Sequence, residues 1–242
     1  MNTTPSVHEH IVRSYDEELQ RLTGELQRMG QLALAQLRGA IDAVMQRDSD
    51  AAGRIARADA AIDALEHDIS HDVVRLLALR QPVARDLREV LAALRIATDI
   101  ERIGDHAANV AKRSIVLNQS APVQLAASLP RLASLAESLV TDVLAAYRDD
   151  DTVKALAAWA RDEALDEHYT GLFRELLTYM MEDPRNITPC THLLFMAKNL
   201  ERIGDHATNI AENVYFLVSG AQIAEARRKG DATSLLPLDD PR

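Results

Sequence analysis

Apolar side chains at Ile11, Tyr15, Leu22, Leu26, Met29, Ala33, Leu37, Ile41 and Val44 recur at intervals of three, four or seven residues. That is the period of a helix burying one face, sustained too long for any strand. The same period returns along the chain and breaks beside the prolines, Pro5, Pro82, Pro122, Pro130, Pro184, Pro189, Pro237 and Pro241, which cannot sit in a helix interior. "RDSDAAGR" (Arg47–Arg54) and "RDDDTVKA" (Arg148–Ala155) place short acids where one helix ends and a capped one begins. Helices are therefore expected over 8–47, 50–80, 83–117, 124–148, 151–182 and 187–218. A composition with 4% aromatics, only 9 glycines and abundant Ala and Leu agrees with an all-α chain.

"ERIGDHA" occurs at Glu101–Ala107 and again at Glu201–Ala207, closing the third and the sixth expected helix. Self-similarity at such a long period means a duplicated unit rather than a short-repeat solenoid. The expected fold is all-α: two tandem, similar three-helix bundles of six long helices, 1–120 and 121–220, with a polar tail over 221–242.

Charge and cysteine content narrow the function classes. With 27 Lys plus Arg against 37 Asp plus Glu, the formal charge is -10, so the average surface repels nucleic acid and anionic lipid. Cys190 stands alone, which excludes an internal disulfide and gives no zinc-finger spacing. The first residues lack the apolar core of a secretion signal, and no stretch reaches the ~18 to 20 apolar residues that span a bilayer. A cytoplasmic chain is expected, with any membrane association only through partners.

Glu101 and Asp105 lie one helical turn apart, and Asn109 extends the row. On a helical wheel the two acids fall at the rim of the apolar arc. If helices two and three form an antiparallel hairpin turning near Gln81 and Pro82, residues equidistant from the turn meet: Asp63 faces Glu101 and Asp59 faces Asp105. The second half, turning near Asp183 and Pro184, sets Asp166 opposite Glu201 and Asp162 opposite Asp205. Four converging carboxylates repel one another and raise their own pKa values unless cations neutralise them, and oxygen donors suit hard divalent or trivalent metals. The candidate metal ligands are Asp59, Asp63, Glu101, Asp105, Asp162, Asp166, Glu201 and Asp205, with Glu66, Asn109, Asn209 and Glu212 as outer candidates. A single such pair would read as a solvated face, or as partners of Arg102 or Lys112; two matched pairs weigh against that. Lys112 stands where the second motif has Glu212, so the two sites need not be equivalent. Gly104 and Gly204, each costing ~1 kcal/mol in mid-helix, point to a close approach by another backbone or a ligand. His106 and His206 project away from the acids and are expected to be hydrogen-bonding or interface residues.

At these residues the sequence resembles the PhoU family of phosphate-transport regulators, whose mark is a duplicated Glu/Asp-x-x-x-Asp in an "ERIGDHA-x-N-I/V-A" context. Both copies fit, at Glu101–Ala111 and Glu201–Ala211, and "LLALRQPVARDLREVLAALRIATDIERIGDHAANVA" (Leu76–Ala111) is similar along its whole length. The resemblance covers residues 10–218. It implies paired three-helix bundles carrying multinuclear metal clusters, commonly iron or zinc, with manganese or magnesium as alternatives. It also implies a non-enzymatic regulator, often a homodimer, acting with the phosphate ABC transporter's ATPase subunit and a phosphate sensor histidine kinase to hold phosphate-starvation genes off. The competing expectation is a di-metal carboxylate oxidase or hydrolase in a helical bundle. Such oxidase sites need Glu-x-x-His on two helices, and no such pair lies near Glu101 or Glu201.

Overall fold

A computed structural model describes residues 7–224, and side chains from Tyr15 onward. The tail beyond Ala224, with its basic run Arg227–Lys229, lies outside the described residues, as do Pro5, Pro237, Pro241 and the side chain of Ile11. The described residues form seven α-helices: α1 (Val7–Gln46), α2 (Ser49–Ala58), α3 (Ala60–Arg80), α4 (Ala84–Leu117), α5 (Leu129–Asp149), α6 (Thr152–Glu182) and α7 (Ile187–Ser219). There is no strand among them.

The acids in the two turn sequences act as anticipated. The Asp48 side chain accepts from Ala51 N–H ahead of α2, and Asp151 accepts from Lys154 N–H ahead of α6, each satisfying a donor that the first helical turn leaves open. Two boundaries differ from expectation. The fourth expected helix opens as a 3₁₀ turn, Gln124–Ser128, and becomes α-helical only at Leu129, with Pro130 in its first turn.

The second expected helix, 50–80, is broken at Asp59 into α2 and α3, although the Asp59 backbone keeps helical angles, φ -51° and ψ -40°. Gln36, reaching over from α1, meets the chain at this break. Its Nε2 donates to Ile55 O at 3.4 Å and to Asp59 Oδ1 at 3.1 Å. The Ile55 carbonyl is the one that an unbroken helix would offer to Asp59 N–H. At the break Ile62 N–H bonds to Asp59 O at 2.8 Å, a tighter 3₁₀-type turn.

α4 and α7 form the centre, antiparallel and packed more extensively on each other than any other pair of helices. Arg88 near the start of α4 donates to Leu217 O near the end of α7, and the Arg113 guanidinium lies 4.2 Å from the centre of the Phe195 ring at their other ends. α1 covers α4 and α5 covers α7. α1 and α5 also touch, with Gly30 set against the tip of Leu144 and Gln27 Nε2 donating to Leu144 O at 2.9 Å. α3 packs on α4, and α6 on α7. Ile62, Ile96, Ile100, Ile103, Leu165 and Leu200, all 1% exposed or less, belong to one continuous core joining the two trios, each contributing roughly 1.5–3 kcal/mol by burial.

Candidate metal centres

Three of the four facings expected from helical rise are found in space: Asp59 with Asp105, Asp63 with Glu101, and Asp166 with Glu201. In the first half, Asp59 and Asp105 act on each other's charge, and Glu101 feels Asp105, Asp63 and Glu66. In the second half, Glu201 feels Asp205 and Asp166. Each half therefore carries an acidic seam along its α3/α4 or α6/α7 hairpin, with Asp59 and Asp162 turned inward, 8% and 0% exposed.

The repeated glycines are what let these acids lie so close to the partner helix. A Cβ on Gly104 would stand 2.8 Å from Ile62 Cδ1 and 3.2 Å from Asp59 Oδ1. On Gly204 it would stand 2.5 Å from Asp162 Oδ1 and closer still to Leu165 Cδ2. The close approach is thus made by the aspartates themselves and by the aliphatic residue three positions on.

The rim placement read from the helical wheel holds for Glu101 and Asp105, whose side chains are 23% and 36% exposed with Asp63 exposed across from them, and for half-buried Asp205, but not for Glu201. The second seam is deeper. Asp162, Asp166 and Glu201 are 0%, 1% and 3% exposed, and the Leu165 and Asp162 side chains press closer on Gly204 than Ile62 and Asp59 do on Gly104. Burial pushes the Glu201 carboxyl up to about 7, against the opposing effect of the Lys198 ammonium, whose Nζ lies 2.8 Å from Glu201 Oε1. The other oxygen, Oε2, is buried and accepts no hydrogen bond. Burial likewise raises Asp59, opposed by the Gln36 amide, and raises Glu101 together with Asp105.

As oxygen donors these residues suit a hard cation, and a buried carboxylate oxygen without a donor is the kind of atom a cation satisfies. Among the described residues, no three acid, histidine or cysteine side chains stand close enough to form a closed cage as placed. The acids are held as facing pairs, so gathering them around an ion calls for rotamer changes at the outer members.

The outer candidates divide. Glu66 accepts from Ser70 Oγ at 2.9 Å and faces Glu101, whereas Glu212 is exposed and accepts from Trp159 Nε1 at 3.1 Å. Asn209 turns across to α4, donating to Asp99 Oδ1. His106 and His206 are interface residues. His106 Nδ1 meets Asn199 Oδ1 at 3.0 Å, His206 Nδ1 meets Asp99 Oδ1 at 2.9 Å, and the rings lie 5.5 Å apart. Each repeat's histidine thus reaches the other repeat's residue two positions before the motif glutamate. Spacing within one repeat carries no signal for that pairing, nor for the contact of Gln36 with Asp59.

The profile of the PhoU domain matches residues 26–114 and again residues 129–214. This chain belongs to the PhoU family. A relative from Xylella fastidiosa, named phosphate-specific transport system accessory protein PhoU homolog, is 61% identical over 99% of this chain and 100% of its own length. One from Caulobacter vibrioides with the same name is 48% identical over 93% of this chain and 99% of its own. The crystal structure of PhoU from Pseudomonas aeruginosa superposes with a TM-score of 0.83 at 37% identity, covering 86% of this chain and all of that one. The phosphate transport system regulatory protein PhoU from Streptococcus pneumoniae gives 0.81 at 31% identity, over 87% of this chain and all of that one. These PhoU structures share the helical fold described above. No described helix is long and apolar enough to cross a membrane.

Proposed function

We propose that this PhoU chain is a metal-binding regulatory adaptor of phosphate uptake, not an enzyme. In this reading it works in the cytoplasm with the phosphate ABC transporter's ATPase subunit and a sensor histidine kinase, and keeps the phosphate-starvation response off when phosphate is plentiful. Support comes from the relatives named as accessory proteins of the phosphate-specific transport system. The single observation carrying the metal part is the pair of acidic seams, one per repeat, in which Asp59 and Asp162 are turned inward against Gly104 and Gly204.

Asp59, Asp63, Glu101 and Asp105 would hold the ion or ions of the first seam, and Asp162, Asp166, Glu201 and Asp205 those of the second, with iron or zinc ahead of manganese and magnesium. A bound cation supplies charge neutralisation, which an isolated buried carboxylate needs most. The protein's own contribution is to fix the helices. The seams lie along the two outer hairpins while α4 and α7 are locked by the His106 and His206 contacts, leaving long helical faces for partner proteins and for a second copy of the chain.

The test is elemental analysis of protein purified without chelator, alongside Asp105→Ala and Asp205→Ala, followed by capture assays with the ATPase subunit and the kinase. Expected is metal in the wild type, loss confined to the mutated half in each variant, and weakened repression. Metal-free wild type that binds both partners and represses normally would remove the metal from the function.

A further inference from the structure

Resting on the metal-binding reading, we infer that Lys198 is a built-in stand-in cation for the second seam: its ammonium neutralises Glu201 in the metal-free chain and has to be displaced for an ion to enter.

The repeats differ at this position. Glu101 and Glu201 correspond, and so do Thr98 and Lys198, three residues earlier. Thr98 is exposed and its hydroxyl bonds back to Leu94 O of its own helix. Lys198 instead sets its ammonium 2.8 Å from Glu201 Oε1, whose carboxylate is 3% exposed, and 4.9 Å from the centre of the Tyr169 ring. An ammonium paired with a buried carboxylate is a strong contact, whereas the counter-ion at the first seam is weak. There Arg102, 54% exposed, lies 3.4 Å from Glu101 and 3.3 Å from Asp105, and exposed pairs of this kind contribute little.

The geometry also shows how the stand-in leaves. The Lys198 side chain is 32% exposed, so the ammonium, seated over the Tyr169 ring, can swing to water while the apolar stem stays on the protein, as long amphipathic side chains do. Glu201 Oε2 is buried and without a donor, so an ion that reaches the seam satisfies that oxygen and competes with Lys198 for the other. Lys198 is a positioning residue here and needs no coordination of its own.

Metal-free stability and metal affinity must then move in opposite directions when the charge is removed. Lys198→Met keeps an unbranched apolar stem and removes the charge, and Lys198→Thr copies the first repeat. Each is compared with wild type, full length and chelator-treated, by thermal unfolding without metal and by Mn²⁺ titration at pH 8 read as free Mn²⁺ in electron paramagnetic resonance. The expected result is a lower melting temperature without metal and about tenfold tighter Mn²⁺ binding in one class of sites, the value of one charge-assisted contact. A fall in both stability and affinity makes Lys198 a structural strut and overturns the inference, and so does unchanged affinity. Wild type that takes up neither Mn²⁺ nor Zn²⁺, the latter read by elemental analysis after desalting, overturns the metal-binding reading itself, and this inference with it.

Discussion

Gly204→Ala tests the packing on which the second seam depends, because the structure assigns opposite signs to the same substitution at three helical glycines. Replacing a mid-helix glycine by alanine gains ~1 kcal/mol where the methyl meets nothing. Gly171 in α6 is such a site, exposed and with no atom within 4 Å of an added Cβ. At Gly204 the methyl would stand 2.5 Å from Asp162 Oδ1 and closer to Leu165 Cδ2, two contacts tighter than any at Gly104 and both on residues 0% exposed. Overpacking of this kind costs ~1–3 kcal/mol, and two buried neighbours put it at the upper end. The net change is a loss of about 2 kcal/mol, or roughly 4–8 °C in melting temperature for a chain of this length. Gly104 falls between: its closest neighbour is the flexible tip of Ile62 at 2.8 Å, so gain and cost nearly cancel. Urea unfolding in the presence of chelator ranks the three, with Gly171→Ala above wild type, Gly104→Ala near it and Gly204→Ala below. If Gly204→Ala proves as stabilising as Gly171→Ala, then α6 does not rest on α7 as described, and the depth of the second seam goes with it.

Three further outcomes follow from the same contacts. Because burial holds the Glu201 carboxyl at about 7 rather than 4.5, the folded chain keeps a proton between those values that the unfolded chain has released. Stability without metal therefore falls as pH rises from 4.5 through 7 and levels off above, by about 3 kcal/mol in all; Glu201→Gln should flatten this, and equal urea midpoint shifts between pH 5 and 8 in both proteins would refute it. Gln36→Leu takes the amide donor from Asp59, 8% exposed, and should cost ~1–3 kcal/mol at neutral pH. Adding Asp59→Asn should recover part of that loss, and strict additivity in the double-mutant cycle would show the two are not coupled. Asp151→Ala removes the cap on α6 and should cost about 1 kcal/mol, measured by thermal unfolding; no change would mean that N–H is satisfied by water instead.

The parts of this molecule legible in its sequence are those set by local geometry. Helix ends followed from proline and from short acids whose caps act within three residues. The facing of Asp59 with Asp105 and of Glu201 with Asp166 followed because two helices leaving one turn climb at the same rise. Depth was not legible, since it depends on how nearly a second helix approaches, and at Gly204 that is decided by the fit of Leu165 and Asp162 rather than by any period in α7. The contact at the Asp59 break was hidden for a similar reason: Gln36, which meets the chain there, belongs to a different helix. Lys198 was within reach, lying three positions before Glu201 on the same helix face, and it also marks where the repeats have parted. The acids and glycines are kept in both copies, while the positive charge sits at Lys198 in one and at Lys112 in the other, where it acts on Asp59. On the metal-binding reading, two seams with the same carboxylates but differently placed positive charges would answer unequally to an incoming ion, and the duplication would carry two responses within one fold.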